Sequence, residues 1–506
     1  MTTPAEQTLS QERKTEEFVR YFTSALKLHE SGDLDKAIAG YRTALAFKPD
    51  DATAHTNIGV ALFAQGKLAD ATTMQQAAVK LDPTSSISFN NLGVVLNAQH
   101  RYLEAVEAYA RACALDPSNS SAFSNHGDAL NNAGRYDEAA VQIQKALWLK
   151  PDYAEAHSNL GMSYWGMGRL DAAIAALRVA LALNPKLAMA RKNLGIVLLL
   201  CGRYAEGWQE YDWRWQADHI PFRFSYPLWL GQKIEGELLL WAEQGPGDEI
   251  LQSSMIEDLL LNGLKIVWEC DKRLVPLIQR SYPTVRVVPR QTPPRDMGPN
   301  IKAHLPAGSL GHVVRPDASR FPMNRQGHLK ADPERTAALR AIIAPAAGKI
   351  VVGISWFSRN LVFGEKKSTK LSEWADILRT PGCKFVNLQY GDTGVERGAF
   401  TQETGLPLTH IDGLDLRDDL DGLAALVAAC DQVITVSNTT AHIAGALGVP
   451  AWILVASGGG KLWYWGTETV ETPAWYPSAR IIRQGKDQPW AASLKVAAER
   501  LVSLAL

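Results

Sequence analysis

Across the first two-fifths of the chain, apolar and polar positions form pairs of amphipathic helices, as at residues 52–65 and 68–81. The pairs recur. Gly32, Gly66, Gly134, Gly168 and Gly202 are spaced by 34 residues or its multiple, with His100 filling the gap. Pro49, Pro83, Pro117, Pro151 and Pro185 keep the same step, and so do Gly59, Gly93, Gly127, Gly161 and Gly195. Ala37, Ala71, Ala105, Ala139 and Ala173 fall where the two helices of a unit must approach closely. About six units fit between residues 17 and 219. The first unit has Ala25 where the others carry the first-helix glycine. The sixth ends in Trp208, Tyr211, Trp213 and Trp215 with no closing proline, and both departures suit end caps.

Beyond residue 234 the pattern changes to short apolar runs alternating with helical stretches, which argues for parallel sheets. Residues 237–241, 265–269 and 285–288 read as strands of a first set, with a glycine turn at 244–248 and a helix over 249–262. A second set begins at Lys349, with strands at 350–356, 383–389, 433–436 and 451–455 and helices at 372–379 and 420–430. Residues 220–234 hold Pro221, Phe222, Phe224, Tyr226, Pro227 and Trp229 and read as a packed linker, not a flexible one. The division is then a polar N-terminal tail 1–16, a repeat array 17–219, the linker 220–234, α/β lobes at 235–345 and 346–486, and a C-terminal helix 487–506. Two α/β units in series fit a two-lobed transferase with its cleft between the lobes.

Composition narrows the class. The 506 residues are 46% apolar with a net charge of −1, which gives no reason to expect a nucleic-acid partner. The start of the chain lacks an apolar signal core, and no apolar run approaches a membrane span. Cys113, Cys201, Cys270, Cys383 and Cys430 show no metal-type spacing. The expectation is a reduced, cytoplasmic protein without structural zinc.

Candidate chemistry gathers at a few points. An apolar strand at 433–436 runs into Ser437, Asn438, Thr439 and Thr440, then into a small-residue helix carrying His442 and ending near Gly448. Strand, polar turn and helix N-terminus make an anion site, or only a capped helix. His442, on the first turn of that helix, is either a ligand contact or a satisfied core group. The turn Gly245, Pro246, Gly247 and Asp248 lets backbone approach a ligand, with Asp248 opening a helix and pointing into the cleft, or a plain helix cap. Arg359, Lys366, Lys367 and Lys370 form a basic loop suited to phosphates or simply solvated. Gly458 to Lys461, with Trp463 to Trp465, reads as a second mobile loop beside the pocket. Asn57, Asn91, Asn125, Asn159 and Asn193 repeat at one point of each unit. Amides donate and accept, so this ladder can hold an extended peptide backbone, or it can bridge neighbouring repeats.

The 34-residue period resembles the tetratricopeptide repeat. The asparagine ladder resembles that of eukaryotic protein O-GlcNAc transferase, where it binds substrate polypeptide. Residues 239–250, 353–356, Lys367 with Ser368, 385–389 and 437–448 are similar to motifs of bacterial glycosyltransferases of the heptosyltransferase type, which have the GT-B fold. The whole chain resembles bacterial proteins that fuse such repeats to such a domain, some of which glycosylate flagellin or other proteins. The resemblance implies a tetratricopeptide α-solenoid followed by a GT-B transferase of two Rossmann-like lobes. It implies Asp248 as base, with donor contacts from Trp356, Arg359, Lys367, Ser368, Gln389, Ser437, Asn438, Thr439, Thr440 and His442. Ser437 stands where that family usually has Asp. The implied reaction uses a nucleotide-sugar as co-substrate with no metal or other cofactor, and an acceptor protein held by the five asparagines. A lipid or polysaccharide acceptor and a non-catalytic repeat adaptor are the competing readings.

Overall fold

The computed structural model describes residues 4–221, 223–321, 326–344, 348–359, 364–458, 462–485 and 488–505, with side chains from residue 11. The chain divides into two compact units, Met1–Ala190 and Arg191–Leu506.

The first unit is built of helix pairs: Pro4–Glu30 with Leu34–Phe47, Ala52–Ala64 with Leu68–Leu81, Ser86–Ala98 with Tyr102–Leu115, Ser120–Asn132 with Tyr136–Leu149, and Ala154–Gly166 with Leu170–Leu183. The opening helix runs unbroken across the 16/17 boundary set from sequence. Within a pair the two helices meet at small residues. A Cβ on Gly93 would stand 2.7 Å from the Tyr109 ring, and one on Gly127 would stand 2.3 Å from Ile143. Facing alanines such as Ala71, Ala105 and Ala139 are wholly buried. The turn inside each pair needs a left-handed residue, so Gly66 has φ 74° and Gly134 φ 81°. His100 adopts the same conformation, with φ 61°. The loops between pairs end in caps: Asp51, Ser85 and Asn119 side chains accept from the backbone N–H of Ala54, Ser88 and Ala122. The first helix of one pair also packs on the first helix of the next.

In the second unit, β1 (Glu237–Trp241), β2 (Lys265–Cys270), β3 (Arg286–Pro289) and β4 (Ile301–Pro306) form a parallel sheet of order β3-β2-β1-β4. A second parallel sheet has β5 (Ile350–Ser355), β6 (Cys383–Asn387), β7 (Gln432–Val436), β8 (Ala451–Val455) and β9 (Ala479–Arg483) in the order β6-β5-β7-β8-β9. Strand order reverses between β1 and β4 in one sheet and between β5 and β7 in the other. Ligands bind outside the carboxyl ends of strands at such points. The fold is therefore a helical-repeat solenoid followed by two Rossmann-like lobes, as expected from sequence. Arg280 on the first lobe and Asp421 on the second join the lobes by a two-pronged ion pair at 2.7 and 2.8 Å.

Several local readings differ from the structure. The helix expected over 249–262 is two, Pro246–Ser253 and Ile256–Leu261. The one expected over 372–379 is a 3₁₀ turn, Leu371–Trp374, running into Ala375–Leu378. The aromatic cluster read as an end cap is packed inside the second unit. Trp208 sits edge-on to Trp463 and donates its indole N–H to the Arg315 carbonyl at 2.9 Å, and Trp215 packs against Trp241. Residues with large aromatic area and one polar handle suit such a seam better than a solvent-facing cap. The helix Ala188–Leu200 crosses the boundary between the units. In the linker, Trp229 is buried and its backbone N–H donates to His304 on β4. Phe222 lies outside the described residues.

Candidate active site

A cleft of about 460 Å³ opens between the two lobes at the carboxyl ends of their strands. The first lobe supplies the turn after β1 (Gly245, Pro246, Gly247 and Asp248) and Arg273, which follows β2. The second supplies Ser358, Arg359 and Lys367 after β5, Ser437 to Thr439 and His442 after β7, and Leu462 and Tyr464 after β8. Two helix N-termini meet here. Gly245 precedes the helix Pro246–Ser253, and Asn438 caps Thr439–Leu447, so unpaired N–H groups and two dipole ends face one space.

Asp248, Lys367 and His442 are displaced from their ordinary values. Burial pushes the Asp248 carboxyl up to about 6, against the pull of a Gly245 backbone hydrogen bond and the Lys367 ammonium. Burial pulls Lys367 down to about 8, against the Asp248 charge. His442 is pulled down to about 3, first by burial and then by Lys367, and is a neutral imidazole. The Tyr476 hydroxyl lies 2.9 Å from His442 Nδ1, and burial keeps that phenol protonated well above its ordinary range. Where the phenol donates to Nδ1, the ring proton lies on Nε2. Tyr464, Trp465 and Tyr476 surround the imidazole at 5.0, 5.2 and 5.7 Å between ring centres.

The remaining residues singled out from sequence divide into cleft walls and supports. Arg359 and Thr439 line the cleft. Ser437 is buried at its edge and accepts the Trp465 indole N–H at 2.7 Å. Asn438 spends its amide inside the protein: Nδ2 donates to Ser355 Oγ and the Phe357 carbonyl, and Oδ1 accepts from Thr435 and the Ala441 N–H. Gln389 Oε1 gathers Ser355 Oγ and the N–H groups of Trp356 and Phe357 at 2.8–2.9 Å. Trp356 is wholly buried and donates to Glu396. Ser368 bonds Ser358 and the Gly364 carbonyl, fixing the loop that carries Lys367. Thr440 is wholly buried, and its hydroxyl has no partner among the described residues. Lys370 is exposed, and Lys366 is half-buried. Gly459, Gly460 and Lys461 lie outside the described residues.

Arg273, Arg417, Tyr390 and Tyr476 were not singled out from sequence. Arg273 follows the end of β2, a position where cleft residues are expected. Nothing in the sequence near Tyr476 marks it. A further depression of about 600 Å³ continues from the cleft, shares Arg359, Leu416 and Arg417 with it, and adds Gln389, Arg397 and His410.

The five asparagines do not behave alike. The Asn125 amide donates to Asn90 Oδ1 at 3.2 Å, and that of Asn159 to Ser124 Oγ at 3.3 Å, each a neighbour in the preceding repeat. Asn57 is half-buried. Asn193 is buried. Asn91 is half-buried, and its side chain makes no hydrogen bond among the described residues.

Comparison with known proteins agrees with the helical unit. Residues 25–66 and 127–168 match a family described as TPR repeat, and residues 72–120 and 154–187 match tetratricopeptide-repeat families. The first unit is a tetratricopeptide solenoid, a module of the protein-binding kind. The chain is 32% identical over 306 residues to protein FlbA of Caulobacter vibrioides, over 56% of this chain and 50% of that protein. It therefore spans about half the length of that relative. Among solved structures, YrrB, a TPR protein with an unusual peptide-binding site, is 26% identical over 36% of this chain and 94% of its own, with a TM-score of 0.32. MamA is 27% identical over 34% of this chain and 95% of its own, with a TM-score of 0.32. Among the described residues no helix is long and apolar enough to cross a membrane.

Proposed function

We propose that this chain is a glycosyltransferase that moves a sugar from a nucleotide-sugar to a protein acceptor held by the repeat unit. The observation that carries the reading is the pairing of Asp248 and Lys367 in one interlobe cleft, the first after β1 and the second after β5. In this reading Asp248 takes the proton of an acceptor hydroxyl, whose oxygen bonds to the anomeric carbon of the donor sugar. The bond from that carbon to the donor phosphate breaks, and its electron pair leaves with the nucleotide. Lys367, the N-terminus of Thr439–Leu447 and the His442 Nε2–H face the charge that develops there. A carboxyl raised to about 6 suits a base, being ionised at neutral pH yet more basic than an exposed aspartate. Arg359 and Thr439 supply further donor contacts. Ser437, Asn438, Gln389, Trp356 and Ser368 support the loops that carry those groups. Flagellin is the first acceptor to try, on the strength of the sequence resemblance.

The test has two arms. The purified chain is incubated with a panel of nucleotide-sugars, and release of free nucleotide is followed. Candidate acceptors, flagellin among them, are weighed by intact mass spectrometry before and after. Nucleotide release and a mass increase of one sugar residue, both lost in Asp248→Asn, support the proposal. Binding of acceptors with no nucleotide release across the panel favours a non-catalytic adaptor.

A further inference from the structure

The first helix of each repeat presents one recurring half-buried position three residues beyond the ladder asparagine. Reading along the first unit at the 34-residue step, that row is Val60, Val94, Asp128 and Met162. Three of the four are apolar. The remaining one is a carboxylate, on the helix Ser120–Asn132.

Asp128 is held in place. The Asn97 amide of the preceding repeat donates to its Oδ2 at 3.0 Å, and Asn132 on its own helix donates to the same oxygen at 3.3 Å. Asn132 also donates to Asn97 Oδ1, which closes the triangle. Both donors are neutral, and both bind one oxygen. The groups that face Asp128 from the neighbouring elements are Tyr102 and Tyr109, both uncharged, and among the described residues no cation pairs with it. Burial in this setting raises the carboxyl above its ordinary value. A carboxyl in an otherwise apolar row, oriented by two amides and with no cation partner among the described residues, is complementary to a cation brought by a partner, which would favour its ionised form.

We propose that the ladder face of the repeat unit selects extended polypeptide segments that carry a lysine or arginine, whose cation seats on Asp128. This rests on the reading that the repeats hold acceptor polypeptide. The apolar members of the row take the aliphatic side chains on either side, so the charge fixes the register of the bound segment.

The experiment is a randomised peptide library passed over the full-length chain, followed by titration of the retained sequences and of their Lys/Arg→Gln counterparts. Wild type is expected to retain peptides enriched in lysine or arginine at one position and to bind them about 5- to 10-fold more tightly than the glutamine versions, the preference shrinking with added salt. Asp128→Asn and Asp128→Val, the latter placing at 128 the residue found at 60 and 94, are expected to bind cationic and glutamine peptides alike. If retained peptides show no cationic enrichment, or the enrichment survives in both variants, the Asp128 assignment is overturned while peptide binding stands. If wild type retains no peptide at all, peptide binding by the repeats falls with it.

Discussion

Gly247 lies against the face of the His442 imidazole: a Cβ at position 247 would stand 2.8 Å from Cδ2 and 3.2 Å from Nε2. The glycine is needed for space, since its φ lies outside the left-handed range. Gly247→Ala must push back a ring already enclosed by Tyr464, Trp465 and Tyr476. Overpacking of this kind costs about 1–3 kcal/mol. Unfolding should register that loss, and turnover should fall more than donor affinity because Nε2 is displaced from the cleft. Unchanged turnover and unchanged stability together would mean that the two helix N-termini have room to part.

The second expectation concerns pH. Asp248 must be ionised to accept a proton, and its pKa of about 6 places the loss of activity below that pH. Lys367 must be protonated to meet phosphate, and its pKa of about 8 places a second loss above it. The profile of kcat/KM should be a bell between these limbs, which belong to the interacting pair as a whole. Asp248→Asn should lower turnover about 100-fold or more, remove the acid limb and leave donor affinity nearly intact. An acid limb that persists in the variant would assign it to another group.

Lys367→Ala should weaken nucleotide-sugar binding and slow transfer, because a buried cation facing the leaving phosphate is lost. Calorimetry with the nucleotide alone reads the first effect. The variant should also bring Asp248 still higher, since Lys367 is a group that holds it down, and so move the acid limb toward neutral pH. A limb that stays in place would mean the two charges do not sense each other.

How much of this was legible in the sequence depended on whether a group's partners lie nearby in the chain. The 34-residue period marks the helices, their turns and their contacts because each repeats locally. The strands with continuous apolar runs, such as β7 and β8, were equally plain. β4 was missed because Lys302 and His304 interrupt its apolar run, and β9 because Arg480 and Arg483 do the same. Both are defined by pairing with strands far away in sequence. At the site, the glycine turn and the Ser437–His442 stretch could be found because they follow strands. What Ser437 bonds could not be found, since Trp465 comes 28 residues later through a loop without regular pattern. The contact of Tyr476 with His442 was out of reach for the same reason.

His100 gives a stability test that is separate from function. It holds the left-handed turn position that glycine fills at 32, 66, 134 and 168. A non-glycine residue there costs about 1–2 kcal/mol, partly offset by the lower chain entropy of histidine. Nδ1 also hydrogen-bonds the Tyr102 hydroxyl at 2.6 Å, which is lost on substitution. His100→Gly should therefore stabilise the repeat unit by about 0.5 kcal/mol, read as a small rise in the denaturant midpoint. A fall would show that the Tyr102 contact outweighs the backbone strain.

The asparagine ladder can be divided by what each amide does in the free protein. Asn125 and Asn159 each bridge to the preceding repeat, so removing either takes a hydrogen bond out of the fold as well as out of any peptide site. Such a bond is worth about 0.5–1.5 kcal/mol. Asn91 has no such internal bond among the described residues, so Asn91→Ala should leave stability unchanged. If the ladder holds an extended acceptor backbone, Asn91→Ala should nonetheless weaken acceptor binding by a few-fold, since one amide contact is gone. Replacing Asn91, Asn125 and Asn159 together should weaken it about 10-fold or more. Only the triple variant should unfold earlier. Acceptor-free hydrolysis of the donor should not change in either. A ladder that only staples repeats predicts the opposite split: Asn91→Ala would be silent in every assay, and the triple variant would lose stability without a specific loss of acceptor affinity. The single substitution at Asn91 is therefore the decisive measurement, because there binding and folding make different demands on the same side chain.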